Sequence, residues 1–421
     1  MISIYTLTSP LHDKAAVDAV TREFLDSLGL EYSFKGDSFE DYGLDLSLIY
    51  FRTGGTEGLF KDLLPTLQGL SRQTFLLLTS GKSNSLAASM EILSYLRQRG
   101  IRGEILHGSP SYIRSRVSRL EKVEGSRRSL EHTTLGVIGA PSDWLISSDV
   151  DKEVVLDRLG ISLQYIPMEE LMDEYSSLRD EVAESWDAVV RYPARNCHSE
   201  RSCHSERSEE SSAPLPTAIK QAIPGAYRIY KALKNLAASY GLSGFTIRCF
   251  DLLTSVHNTG CLALARLNSE GLIAGCEGDI PAMLSMMIGR AVTGFSGFQA
   301  NPSSINPETG EMVFSHCTVP FDMVSGYEFD THFESGIGVG IRGHIPEGPV
   351  TVFKVAGDLS RHFACEGELL RNESKPDLCR TQVVLRLPSE AASYFLNDPI
   401  GNHHIILPGH VAQTLDELLS F

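Results

Sequence analysis

The feature that most constrains this chain is the repeated alternation, in its first third, of short unbroken apolar runs with stretches of helical period. Ile2 to Leu7 reads as a buried strand. The helix after it has the apolar stripe Ala16, Val17, Val20, Phe24, Leu25 and Leu28, with Gly29 as its stop. Leu46 to Phe51 and Phe75 to Leu78 are further strand runs, and Leu86 to about Arg99 carries Met90, Leu93 and Leu96 at helical spacing. Strand, helix, strand in that order predicts parallel βαβ units with right-handed crossovers.

The same grammar restarts at Leu135-Gly136-Val137-Ile138-Gly139, passes through a helix near Lys152 to Leu159 and returns to a strand at Ser162 to Ile166. Beyond about Gly294 the texture changes to Gly- and Pro-punctuated apolar segments such as Gly348 to Val355, the pattern of antiparallel β structure. At 421 residues the chain is too long for one ordinary core. The fold read from these patterns is α/β: two Rossmann- or flavodoxin-like parallel-sheet domains, 1–133 and 134–293, followed by a mainly antiparallel β-rich domain, 294–421.

One segment fits neither pattern. Cys197-His198-Ser199-Glu200-Arg201-Ser202 is repeated at once as Cys203-His204-Ser205-Glu206-Arg207-Ser208. A tandem hexamer this polar cannot bury a core, and no apolar residues support its Cys-His pairs as a zinc site. The expectation is a disordered polar insertion over about 195–214.

The formal net charge of −16 repels phosphate backbones and anionic membrane surfaces, which argues against nucleic-acid and membrane partners and for a neutral or cationic small substrate. The basic stretch from Arg114 to Arg128 is interrupted by Glu121 and Glu124 and reads as a solvated helix face. No apolar run reaches the ~20 residues that span a bilayer, and the first residues lack a basic leader. A cytoplasmic location is expected, with the eight scattered Cys as reduced thiols.

Two glycine motifs carry no nucleotide site. Thr79-Ser80-Gly81-Lys82-Ser83 ends like a phosphate loop, but position 76 is Leu where the first Gly is needed. Gly338-Val339-Gly340-Ile341-Arg342-Gly343 has the dinucleotide spacing, yet Pro346 follows where a helix must begin, so a glycine-rich strand or turn is expected. No Gly-x-Ser-x-Gly elbow is present. Carboxylates and histidines remain.

Glu277 and Asp279 lie between the apolar run Leu272-Ile273-Ala274 and a helix through Met283, Met286, Met287 and Ile288. That places two carboxylates at the carboxyl end of a strand, where open α/β sheets bind ligands. Asp279 also suits a helix cap, with Pro281 in the first turn. Glu277, set in apolar sequence, is costly to bury unless paired or metal-bound. Further along, Asn301, His316, His403, His404 and His410 make with it a mixed O/N donor set that suits Mn²⁺ or another first-row divalent ion.

The order of Arg248-Cys249-Phe250-Asp251, Cys261-Leu262-Ala263-Leu264, Leu267 to Gly271, Cys276-Glu277-Gly278-Asp279, His316-Cys317 and Asn402-His403 resembles the L-fucose isomerase-like family, which is related to L-arabinose isomerase. The resemblance implies a three-domain, Mn²⁺-dependent aldose–ketose isomerase of a small sugar, assembled as a trimer or hexamer with sites completed near subunit boundaries. It implies Glu277 and His403 as metal ligands, and His316 matches a histidine used at the metal by the arabinose isomerases. A further family carboxylate, a ligand and potential base, falls on Asn301, which brings no charge and accepts no proton at neutral pH. Three readings follow: an isomerase in which Asp279, Asp330 or Glu334 substitutes; an enzyme acting on another polyol or sugar phosphate; or a non-catalytic sugar-binding relative. Glu277, Asp279 and Asn301 are the candidate catalytic residues, and Glu277, Asn301, His316 and His403 the candidate metal ligands.

Overall fold

In the computed structural model, residues 2–70, 74–179 and 215–420 are described. The tandem Cys-His-Ser-Glu-Arg-Ser hexamers and the expected insertion at 195–214 lie outside them. The chain divides into two compact units, Met1–Gly125 and Ser126–Phe421.

In the first unit the strands β1 (Ile2–Leu7), β2 (Tyr32–Gly36), β3 (Leu46–Phe51), β4 (Phe75–Thr79) and β5 (Gly103–Leu106) form one parallel sheet in the order β2-β1-β3-β4-β5. Helices cover both faces, so successive side chains of one strand enter opposite cores and the strand reads as a continuous apolar run. Tyr5, Ile49, Phe51, Phe75 and Leu77 pack in one cluster, while Ile2, Ile4, Leu48, Tyr50, Leu76 and Leu78 pack in the other. The first helix, Lys14–Leu28, is capped by the Asp13 carboxylate at its start and by left-handed Gly29 at its end. In the helix Ser85–Arg97 the buried stripe is Ala88, Ile92 and Leu96, and Met90, expected on that stripe, is 58% exposed.

In the second unit β6 (Thr134–Ile138), β7 (Ser162–Ile166), β8 (Gly244–Ile247) and β9 (Ile273–Gly275) form a second parallel sheet, ordered β7-β6-β8-β9. The strands β10 (Phe298–Ile305), β11 (Glu311–His316), β12 (Gly326–Asp330), β13 (Gly340–His344), β14 (Gly348–Val355), β15 (His362–Glu373), β16 (Thr381–Arg386) and β17 (His404–Pro408) follow. Six of these close an antiparallel barrel in the order β10-β11-β16-β15-β14-β17, and β12 with β13 makes a separate hairpin. The Gly338 to Gly343 motif runs into β13, the glycine-rich strand that its sequence suggests. Closure removes the unpaired edges that an open antiparallel sheet would leave.

The helix Ile280–Thr293 links sheet and barrel. Eleven of its 14 residues are buried, as expected for a helix apolar on every side. Ser285 Oγ on this helix accepts a hydrogen bond from the Val355 N–H of β14 at 3.0 Å. Among the described residues no helix is long and apolar enough to cross a membrane.

Candidate active site

Open parallel sheets bind ligands beyond the carboxyl ends of their strands, at the point where strand order reverses. In the second sheet that point lies between β6 and β8, and the turn after β9 joins it. Glu277 sits in this turn with φ +64°, a left-handed conformation uncommon for a residue with a side chain. Gly278 follows at φ +72°, and a Cβ there would meet the Ala140 carbonyl oxygen at 2.5 Å, so only glycine fits against the loop after β6. Asp279 then caps the helix Ile280–Thr293, accepting from the Ala282 N–H at 2.8 Å. Local sequence thus turns the chain sharply and aims the Glu277 carboxylate away from the helix.

That carboxylate faces two imidazoles. Its Oε1 is 3.6 Å from His316 Nε2, at the end of β11, and 3.5 Å from His403 Nε2, just before β17. Its Oε2 accepts from the Trp144 indole N–H at 2.7 Å. Burial opposes the charge on Glu277, but His316 and His403 outweigh it and hold the carboxyl well below the usual range. Cys276 Sγ lies close by, within 4.8 Å of a Glu277 oxygen and a His316 nitrogen.

Behind His403 is a buried chain of charges. Asp279 Oδ2 accepts from His403 Nδ1 at 2.9 Å, and Lys354 Nζ lies 3.3 Å from both Asp279 oxygens. Burial would drive Asp279 toward neutrality, yet Lys354 and His403 keep it ionised far below its ordinary value. Burial would likewise depress His403, but Asp279 and Glu277 outweigh it and raise it to about 9. With Nδ1 committed to Asp279, His403 presents Nε2 toward Glu277, and that fully buried nitrogen has no hydrogen-bond partner. A carboxylate behind an imidazole whose other nitrogen is unsatisfied is the usual arrangement around a metal-ligating histidine.

The sequence-derived candidates therefore fall in different places. Glu277, His316 and His403 converge. Asn301, on β10, lines the same cleft as Glu277 and His316. Asp279 is wholly buried behind His403, with its oxygens engaged by Ala282, His403 and Lys354, and it does not line the cleft. Of the two other acids, Asp330 is paired with Arg342 at 3.1 Å and Arg380 at 3.4 Å, whereas Glu334 lines the cleft.

Three further residues belong to the site. Trp144 packs edge-on against Phe250 at 4.8 Å. Arg248 grips Asp143 with two bonds of 3.1 and 3.0 Å and the Pro141 carbonyl at 2.9 Å, which fixes the loop carrying Trp144. His332 lines the cleft, its Nδ1 3.0 Å from Ser335 Oγ, and burial lowers its pKa. Lys354 had a signal in sequence, a lone cation in the apolar run of β14, where only a paired charge can be buried. The indole of Trp144 had only its position after a parallel strand, and His332 had none.

Fold and site together define a parallel α/β sheet joined to a closed β barrel, with a carboxylate and two imidazoles meeting at the strand ends. No family model matches the chain. It is similar to proteins named sulfoquinovose isomerase. The match to one from a Clostridium species is 26% identical over 60% of this chain, and the chain spans about half, 54%, of that relative's length. Those from Alkalicoccus urumqiensis and Priestia megaterium are 22% and 23% identical, each over 80% of this chain and covering 74% and 73% of the relative.

Proposed function

We propose that this protein is a metal-dependent aldose–ketose isomerase of a small sugar. The observation that carries the reading is the meeting of Glu277 Oε1 with His316 Nε2 and His403 Nε2 at 3.6 and 3.5 Å, with the His403 nitrogen buried and otherwise unsatisfied. The relatives named sulfoquinovose isomerase support the reaction class.

Glu277, His316 and His403 would hold the cation, Mn²⁺ or a neighbour in the first row, and Asn301 offers a neutral carbonyl oxygen beside them. When bound, such an ion acidifies the proton beside a sugar carbonyl and stabilises the enediolate. The chain's own residues do the rest. Trp144 restrains one Glu277 oxygen, leaving the other toward the imidazoles. Asp279 and Lys354 are positioning residues that set the His403 ring. Moving a proton between C1 and C2 needs a base in the cleft, and Asn301 cannot serve. Glu334, the acid of the three alternatives that lines the cleft, takes that role in this reading.

The test is a panel of aldoses and ketoses, sulfoquinovose among them, incubated with purified protein with and without Mn²⁺, Co²⁺ or Zn²⁺ and followed for interconversion. Metal-stimulated interconversion of one pair, abolished by Glu334→Gln with metal binding intact, is the expected result. Absence of both metal binding and turnover would sink the reading.

A further inference from the structure

The cleft holding Glu277 is lined by thiols that the proposed chemistry does not use: Cys249, Cys261, Cys276, Cys317 and Cys379 all contribute. Two of them, Cys249 and Cys276, place their sulfurs 3.0 Å apart. The backbone imposes this. Cys276 follows β9 directly, Cys249 lies two residues beyond β8, and these strands are parallel neighbours with Thr246 opposite Gly275. Past the paired residues the contact continues, for the Gly278 N–H donates to the Ile247 carbonyl at 2.8 Å and Thr246 Oγ1 donates to the Cys276 carbonyl at 3.4 Å. The Cys276 N–H is held in turn by Gln299 Oε1 at 3.0 Å. The two thiols are therefore kept face to face.

We propose that Cys249 and Cys276 form a reversible oxidation site that takes a peroxide and closes to a disulfide, switching off the adjacent Glu277 site. Closure asks little of the fold, since a disulfide places its sulfurs ~2.05 Å apart, roughly 1 Å nearer than here. Both side chains are buried, Cys249 at 7% and Cys276 at 4% exposure, and both line the cleft, which is the route a small neutral oxidant would take to them. One sulfur attacks a peroxide oxygen, the O–O bond breaks, and a sulfenic acid forms with release of water or an alcohol. The second sulfur then displaces the sulfenic hydroxyl as water, and its own proton leaves with it. Two thiols lose two hydrogens and one peroxide is reduced.

The consequence follows from adjacency. Cys276 and Glu277 are consecutive, and Gly278 is pressed against the Ala140 backbone, so the turn has little slack. A pull on the Cys276 sulfur is passed to a carboxylate whose ligand distances tolerate little error. This consequence rests on the functional reading given above, whereas the disulfide itself does not.

The experiment uses the full chain, reduced and then exposed to hydrogen peroxide, with free thiols alkylated and peptides mapped by mass spectrometry. A linked peptide pair joining 249 to 276 is expected, reversed by dithiothreitol, together with Mn²⁺ binding weakened about 10- to 100-fold in calorimetry while oxidised. Cys249→Ser, with Cys249→Ala as a second variant should the first fold poorly, forms no such link and keeps its Mn²⁺ affinity after peroxide. The proposal is overturned if both thiols stay alkylatable while other cysteines oxidise, if one ends as a sulfinic acid without a link, or if the link forms and Mn²⁺ affinity is unchanged. A reduced protein that binds no Mn²⁺ breaks the functional reading instead, and the mapped link alone then judges the oxidation site.

Discussion

In the sheet β2-β1-β3-β4-β5 strand order turns back between β1 and β3, and in β7-β6-β8-β9 it turns back between β6 and β8. Each sheet thus opens a crevice at the carboxyl ends of its strands, built by the same rule. The residues delivered there differ. In the first unit the loops carry hydroxyls and a cation that satisfy one another: Thr53 Oγ1 accepts from the Ser9 N–H at 3.0 Å, Thr79 and Ser85 hydroxyls meet at 2.7 Å, and Arg52 binds Thr8 Oγ1 at 2.6 Å and Asp18. In the second unit the loops carry Trp144, Arg248 and Glu277, and the barrel adds His316 and His403. The first crevice is an open space whose lining polar groups pair with one another, whereas the second turns a carboxylate and an unpartnered imidazole nitrogen toward its cleft. A shared fold supplies the place, and only the side chains decide whether chemistry follows.

The largest difference between the two crevices is expected at Glu277. Glu277→Gln keeps an acceptor for the Trp144 indole but removes the charge opposite two imidazoles. Turnover on the substrate found in the panel should fall by roughly 10²-fold or more, because a proposed metal ligand loses its charge, measured by steady-state kinetics at matched metal concentration. An undiminished rate would mean that the second crevice is no more catalytic than the first.

Asp279→Asn comes next, and its main effect is on stability. It leaves Lys354, 2% exposed, as a buried cation without its countercharge, a loss of about 3–5 kcal/mol in chemical denaturation. Lys354→Met in the same background should recover part of that loss, because it removes the stranded charge.

The same cluster sets a pH dependence. His403 is raised from 6.5 to about 9, so its contribution is complete below pH 6.5 and is lost as pH rises through 9. In metal-free protein, stability should therefore decline between these limits by on the order of 3 kcal/mol. If the site binds metal as proposed, the ion takes the place of the proton, and thermal melts at saturating Mn²⁺ should show a flatter profile.

Much of this was legible in sequence because it rests on short-range pattern. Continuous apolar runs gave β1, β3 and β4, since strands covered on both faces need no polar alternation. The cap at Asp279 followed from a carboxylate placed just before Pro281 and an apolar helix. Convergence was not in the local pattern and came only through the resemblance. His316 and His403 lie 39 and 126 residues beyond Glu277 and meet it only because the barrel closes. Met90 shows the same limit on a smaller scale, as helical spacing allows two neighbouring stripes and packing onto the sheet selects the one through Ile92.

Trp144→Phe tests a finer point. The ring can still pack on Phe250, but the N–H to the Glu277 carboxylate is lost, a hydrogen bond to a charged group of about 1.5–3 kcal/mol. A fall of roughly tenfold in kcat/KM is expected, with little change in melting temperature. A destabilised protein with unchanged kcat/KM would reassign Trp144 to packing alone.

The smallest effect is reserved for the first crevice. Thr53→Val keeps the shape of the side chain and removes the acceptor for the buried Ser9 N–H, so about 1–3 kcal/mol of stability should be lost in denaturant titration. Turnover per folded molecule should not move, because the hydroxyls there are spent on one another. A loss of kcat/KM as large as that of Trp144→Phe would break the contrast between the crevices, for it would mean that the hydroxyl network of the first unit also takes part in turnover.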